Sequence, residues 1–149
     1  MIRRARRYPP GTVSRFPLRL SRWGSPIILL LAWRRPVAVV EDGTVAVRMG
    51  AHGRADIPVA RIARVGTMRW PWWAGIGVRI ARGTVAFVGG PGTLVVLELS
   101  EPIRVRAPLG WSTGRIGIGV DDAEDFMAAV AEARSSSPPR AGADELREL

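Results

Sequence analysis

Apolar and polar residues alternate with a period of two through most of residues 12–120, and the period lengthens to that of a helix only at 121–134. The earlier pattern therefore predicts a run of strands and turns. The later one predicts a single helix that closes the run. The clearest strand pair is Val37–Glu41 and Thr44–Met49, two β-branched segments flanking Asp42-Gly43, a dipeptide suited to the tight turn of a hairpin. Within the second segment Val45, Val47 and Met49 alternate with Ala46 and Arg48, as expected of a sheet with one face in the core. A short strand is expected at 54–57, a break at Pro58, and a longer strand at 62–68. Gly77–Ala81 and Thr84–Val88 form a second hairpin through Arg82-Gly83. Residues 94–99 are apolar on both faces except for Glu98, so this strand should be central in its sheet.

Further strands are expected at 103–106 and 115–120, separated by a turn at Pro108-Leu109-Gly110-Trp111. In the last strand Ile116, Ile118 and Val120 share one face, and Gly117 and Gly119 occupy the other. Alternate glycines weaken a strand, so they mark a close approach by another element, with Trp111 or the final helix the expected neighbour. Asp121 or Asp122 can cap that helix, and Glu124 and Asp125 in its first turn complement the helix dipole. Phe126, Val130 and Ala133, with Met127 beside them, form its apolar stripe, so Phe126 is expected to be buried.

Several segments carry a family resemblance: 37–49 (Val-Ala-Val-Val-Glu-Asp-Gly-Thr-Val-Ala-Val-Arg-Met), 57–65 (Ile-Pro-Val-Ala-Arg-Ile-Ala-Arg-Val), 75–79 (Gly-Ile-Gly-Val-Arg) and 118–126 (Ile-Gly-Val-Asp-Asp-Ala-Glu-Asp-Phe). In this order of elements the chain resembles the bacterial pleckstrin-homology-like (PH-like) domains. More narrowly, it is similar to a group of small actinobacterial proteins that share a Phe-Pro-Leu start, here Phe16-Pro17-Leu18, and end in an acid-capped helix. The resemblance covers residues 13–134 and implies a mainly β fold, a bent half-barrel of about seven antiparallel strands capped by one C-terminal helix. It leaves a basic arm at 1–12 and a flexible tail at 135–149. It implies a binding or scaffolding role and supplies no catalytic residues. Members that bind phosphoinositides do so through basic residues on the first strand and the loop after it, which would correspond to Arg15, Arg19, Arg22, Arg34 and Arg35. An apolar run at 27–33 interrupts that loop here.

Charge sharpens the division of the chain. All 22 basic residues are arginine, set against 13 acids for a net charge of +9, and the chain has no Lys, Asn, Gln or Cys. Such usage is the bias of a GC-rich bacterial genome, and the absence of cysteine excludes disulfides and thiol chemistry. Nine of the arginines and none of the acids fall within residues 1–35, so the excess belongs to the N-terminal quarter and the body is neutral. Two readings of the arm stay open: a solvated leader, or an anchor whose Arg3, Arg4, Arg6 and Arg7 contact an anionic surface. The apolar run at 26–33 is too short to span a bilayer. Arg34-Arg35 then occupy the place where a signal peptide would need small residues, so a buried strand or packed loop is the preferred reading.

Candidate chemistry is sparse. The segment Arg69-Trp70-Pro71-Trp72-Trp73 gathers three tryptophans in an expected loop. Arg69, Trp70, Trp72 and Trp73 are thus a candidate partner surface, unless the tryptophans fold inward to complete the core. His52, the sole histidine, lies between Gly50 and Gly53 in an expected turn and reads as a surface residue. Gly75-Ile-Gly77 lacks the third glycine of a dinucleotide fingerprint, and Gly89-Gly-Pro-Gly92 lacks the Lys-Ser/Thr of a phosphate loop. No enzyme, metal or cofactor is expected. The sequence points to a non-enzymatic interaction or scaffolding module whose partner is a protein or peptide, in the cytoplasm or at the inner face of the membrane. The alternative is a peripheral membrane protein tethered by the arm and the tryptophan loop, and weak, nonspecific nucleic-acid binding ranks third.

Overall fold

The β-branched alternation of the first half folds into an antiparallel meander, β1 (Ser14–Pro17), β2 (Val37–Glu41), β3 (Thr44–Met49) and β4 (Gly53–Pro58), which pair in that order as a four-stranded sheet. The computed structural model describes residues 13–20, 36–41, 43–50, 53–71, 75, 77–81, 83–90, 92–106 and 110–136. Burial follows the period of two: Ala38, Val40, Val45, Val47, Ala55 and Ile57 face inward, while Arg15, Arg54 and Asp56 lie on the wet face. At Pro58 the chain leaves the sheet through a 3₁₀ turn, Val59–Arg61, and enters β5 (Ile62–Trp70). The remaining strands are β6 (Gly77–Ala81), β7 (Thr84–Val88), β8 (Gly92–Val105) and β9 (Trp111–Ile118). They form a second sheet ordered β5-β8-β9-β7-β6.

Three features depart from the sequence-based expectation. First, the described residues contain nine strands in two sheets rather than about seven. Second, the pairing is not antiparallel throughout, since β7 runs parallel to β9, and the described strands do not close into a barrel. This parallel pair arises because the β6–β7 hairpin lies outside β9 rather than between β5 and β8. Third, the strands expected at 94–99 and 103–106 are one element. β8 passes through Ser100-Glu101-Pro102 with a register shift against β9 between Glu98 and Ile103. Such a bulge bends a strand without ending it. The first part of β8 is central, as its two-faced apolar pattern requires, with Leu94, Val95, Val96 and Leu97 all buried.

The sheets meet at both margins through a few main-chain bonds. At one margin Arg54 and Arg106 exchange N–H···O bonds of 2.8 and 2.9 Å. At the other, Arg19 donates to Gly119 O at 2.8 Å and Asp121 donates to Pro17 O at 3.0 Å. Here Gly89 and Gly92 find their purpose: a Cβ on Gly89 would strike the Arg19 carbonyl, and Gly92 has φ +138°, a backbone conformation that suits glycine. Gly117 and Gly119 make room for Leu94, whose methyls lie 3.1 and 3.0 Å from the added Cβ positions. The expected neighbour, Trp111 or the helix, is not what they admit.

Of the two acids that could cap helix α1 (Ala123–Ser136), Asp122 does so, its Oδ1 accepting the Asp125 N–H at 3.0 Å. Phe126 is fully buried and meets Phe16 edge to face, with ring centroids 5.2 Å apart at 76°. With Ala129 and Val130 it joins a core that takes side chains from both sheets. A smaller cluster of Trp70, Ala86, Val88 and Leu94 lies apart from this core.

Candidate functional site

Outward positions on two strands from different sheets converge where β4 meets the end of β8. In β4 the inward Ala55 and Ile57 leave Arg54 and Asp56 on the solvent side, and the inward Ile103 and Val105 of β8 do the same for Arg104 and for Arg106 just beyond the strand. The bulge in β8 brings its last residues alongside β4, where Arg54 pairs with Arg106. Arg48 stands opposite Arg54 on β3, so Arg48, Arg54 and Arg106 form one row across three strands. A cleft of about 540 Å³ opens beside the row, lined by Arg54, Asp56, Arg104, Val105, Arg106 and Gly110. Gly110 has φ +64°, a conformation that suits glycine, as the chain turns back into β9.

Asp56 organises one half of this group. Its Oδ1 accepts from Arg48 at 2.7 Å and its Oδ2 from Arg54 at 3.2 Å. Arg48 is further fixed by donating to the carbonyls of Val47 at 3.0 Å and Ala55 at 3.3 Å. Burial pushes the Asp56 carboxyl up, but the hydrogen bond and charge of Arg48, followed by those of Arg54, outweigh it and hold the group below its ordinary value. Asp56 is therefore ionised at neutral pH and weakly basic, a positioning group for arginines rather than a proton acceptor. Among the described residues no carboxylate lies within ion-pair distance of Arg104 or Arg106. The cleft thus offers two exposed guanidiniums beside two that are already held. Such an arrangement can bind anionic oxygens in paired hydrogen bonds.

The sequence-derived candidates fare differently. Trp70 is 4% exposed and its indole N–H donates to Gly75 O at 3.0 Å, so it belongs to the smaller core cluster and not to an open aromatic face. Packing on Ala86, Val88 and Leu94 is the physical reason. Arg69 is exposed at the end of β5. Trp72, Trp73, His52, Arg3, Arg4, Arg6 and Arg7 lie outside the described residues. Of the expected headgroup arginines, Arg15 is exposed, whereas Arg19 donates to Val120 O at 3.3 Å and helps to join the sheets. Arg22, Arg34 and Arg35 also fall outside the described residues. No three His, Asp or Glu side chains gather in a metal-binding group among the described residues, and no helix among them is long and apolar enough to cross a membrane.

Sequence reading missed Arg54, Asp56, Arg104 and Arg106 as a site, although it placed all four on strands. A usable signal was present in Arg54-Ala-Asp56 and Arg104-Val-Arg106, charges at alternate positions flanking an inward apolar residue. What no local pattern contains is the pairing of two segments so far apart in the chain. Comparison with protein-family models, with curated proteins and with solved structures gives no match, so the geometry of the cleft carries the functional reading.

Proposed function

We propose that this protein is a PH-like, non-enzymatic interaction module, acting in the cytoplasm or at the inner face of the membrane, and that its binding face is the arginine cleft between β4 and β8. The observation that carries the reading is the pair Arg104 and Arg106, exposed and without an acidic partner among the described residues, beside arginines already held by Asp56. Folding alone gives no reason to concentrate such charge at a seam between sheets. The PH-like reading draws support from topology. With the β6–β7 hairpin set aside, β1–β4 form one meander and β5-β8-β9 another, followed by a helix whose Phe126 enters the core.

An affinity capture from lysate of the native host tests the function, with the full chain as bait beside its Arg104→Glu/Arg106→Glu variant. A stoichiometric protein partner held by the wild type and lost by an equally stable variant is the expected result. A partner retained by the variant would move the binding face elsewhere. Binding to anionic vesicles at physiological salt, with no protein captured, would replace the module by the membrane tether. A salt-resistant shift of DNA would overturn both.

A further inference from the structure

We infer that the arginine cleft takes an extended acidic peptide segment, with carboxylates at alternate positions, rather than a compact anion. This inference rests on the cleft being the binding face proposed above. It comes from the main chain of the seam. In an antiparallel pair, alternate residues direct both their N–H and C=O toward the same neighbour. Arg54 turns both groups to Arg106, so Asp56, two residues on, turns its own peptide groups to the same side. By the same parity Arg104 faces β4 from β8. Yet the reciprocal bonds of Arg54 and Arg106 are the main-chain bonds that join these strands among the described residues. No main-chain bond joins Asp56 to Arg104, and both residues line the cleft.

Strand parity therefore directs the N–H and C=O of Asp56 and of Arg104 toward the seam between the two strands. Carbonyl oxygens and the Asp56 carboxylate disfavour a dense anion such as phosphate there. An extended peptide can satisfy both kinds of group, because it brings its own N–H donors as well as acceptors. Its side chains then meet those of the cleft with the spacing of a strand. Arg104 and Arg106 share a face two residues apart, about 7 Å along the strand. An acid-x-acid segment matches that interval. Pro58 on β4 and Pro102 on β8 lack N–H groups, so the pairing edge is short and the recognised segment spans a few residues.

Fluorescence anisotropy on the full chain tests this with labelled Ac-Glu-Val-Glu-Val-Glu-NH2, the isomer Ac-Glu-Glu-Glu-Val-Val-NH2, and inorganic phosphate as competitor. The alternating peptide should bind more tightly than its isomer, phosphate should not displace it, and Arg104→Glu/Arg106→Glu should weaken it by roughly tenfold or more. The same variant should gain affinity for Ac-Arg-Val-Arg-Val-Arg-NH2. In amide NMR spectra the alternating peptide should shift Asp56 and Arg104, and phosphate should not. Equal binding of the two isomers, displacement by phosphate, or an unaffected variant would overturn the peptide reading. If no acidic peptide binds while a captured protein still depends on Arg104 and Arg106, the inference fails and the interaction module stands.

Discussion

Asp56 shows how one side chain can set the character of a surface. Its carboxylate is shared by Arg48 and Arg54, and their attraction exceeds the cost of its partial burial. Because the folded-state pKa is lowered, the stabilisation is present above the unfolded value, about 4, and is lost as pH falls through the folded value. Asp56→Asn should therefore melt at a lower temperature than the wild type near neutral pH, and the difference should shrink to nothing in strong acid. Thermal unfolding across the acid range checks the sign. Because the pair is about half exposed, the effect should be modest. Phe126 lies at the opposite extreme, fully buried against Phe16 and the cores of both sheets. Phe126→Ala should cost about 3–5 kcal/mol in urea unfolding. A loss below about 1 kcal/mol would mean that the ring is not the plug of the fold.

At the scale of elements, helix α1 and the glycine-rich turn after β7 carry separate expectations. The cap of α1 satisfies the Asp125 N–H through Asp122, so Asp122→Ala should destabilise by about 1 kcal/mol, read by denaturant midpoint at constant slope. Gly89, in the bend after β7, and Gly66, within β5, make a sharper comparison, since neither has a left-handed backbone. An alanine at Gly89 would place its Cβ on the Arg19 carbonyl, whereas nothing lies within 4 Å of the corresponding position at Gly66. Gly89→Ala should thus be clearly destabilising, while Gly66→Ala should be neutral or stabilise β5 by up to about 1 kcal/mol. The two melting temperatures should move apart. The bulged strand β8 is the element on which the site depends, because its last residues stay paired with β9 while Arg106, just beyond them, bridges to Arg54 of β4.

For the whole molecule, the decisive fact is that one core serves both sheets and the helix. Phe16 and Ile57 from the first sheet meet Phe87, Leu97 and Ile118 from the second, with Phe126 and Val130 from α1. Neither sheet can shed the other without exposing this shared surface, so unfolding should be a single cooperative step. Urea transitions followed by tryptophan fluorescence and by far-ultraviolet circular dichroism should coincide. Two separate transitions would show that the seams at Arg54–Arg106 and Arg19–Gly119 bind two independent units. The same seams explain how a neutral body can carry a basic site, since Arg54 and Arg104 come from sheets that touch through few main-chain bonds.

Much of this architecture is legible in the chain because local physics determines it. Alternation in Val45, Val47 and Met49 selects the inward face of β3, and the acids of 121–125 with Phe126 and Val130 mark the final helix and its buried stripe. The segment 94–99 reads as central because it is apolar on both faces except for Glu98, and its part of β8 lies between β5 and β9. Other features depend on contacts that no period or turn motif encodes. The placement of β6–β7 outside β9, the purpose of Gly89, Gly117 and Gly119, and the inward turn of Trp70 all follow from which distant segment lies alongside. The arginine cleft belongs with these. Arg54-Ala-Asp56 and Arg104-Val-Arg106 each declare an outward charged face, but only tertiary pairing across the seam places the two faces together. Local alternation fixes where a side chain points; the long-range register decides what it meets.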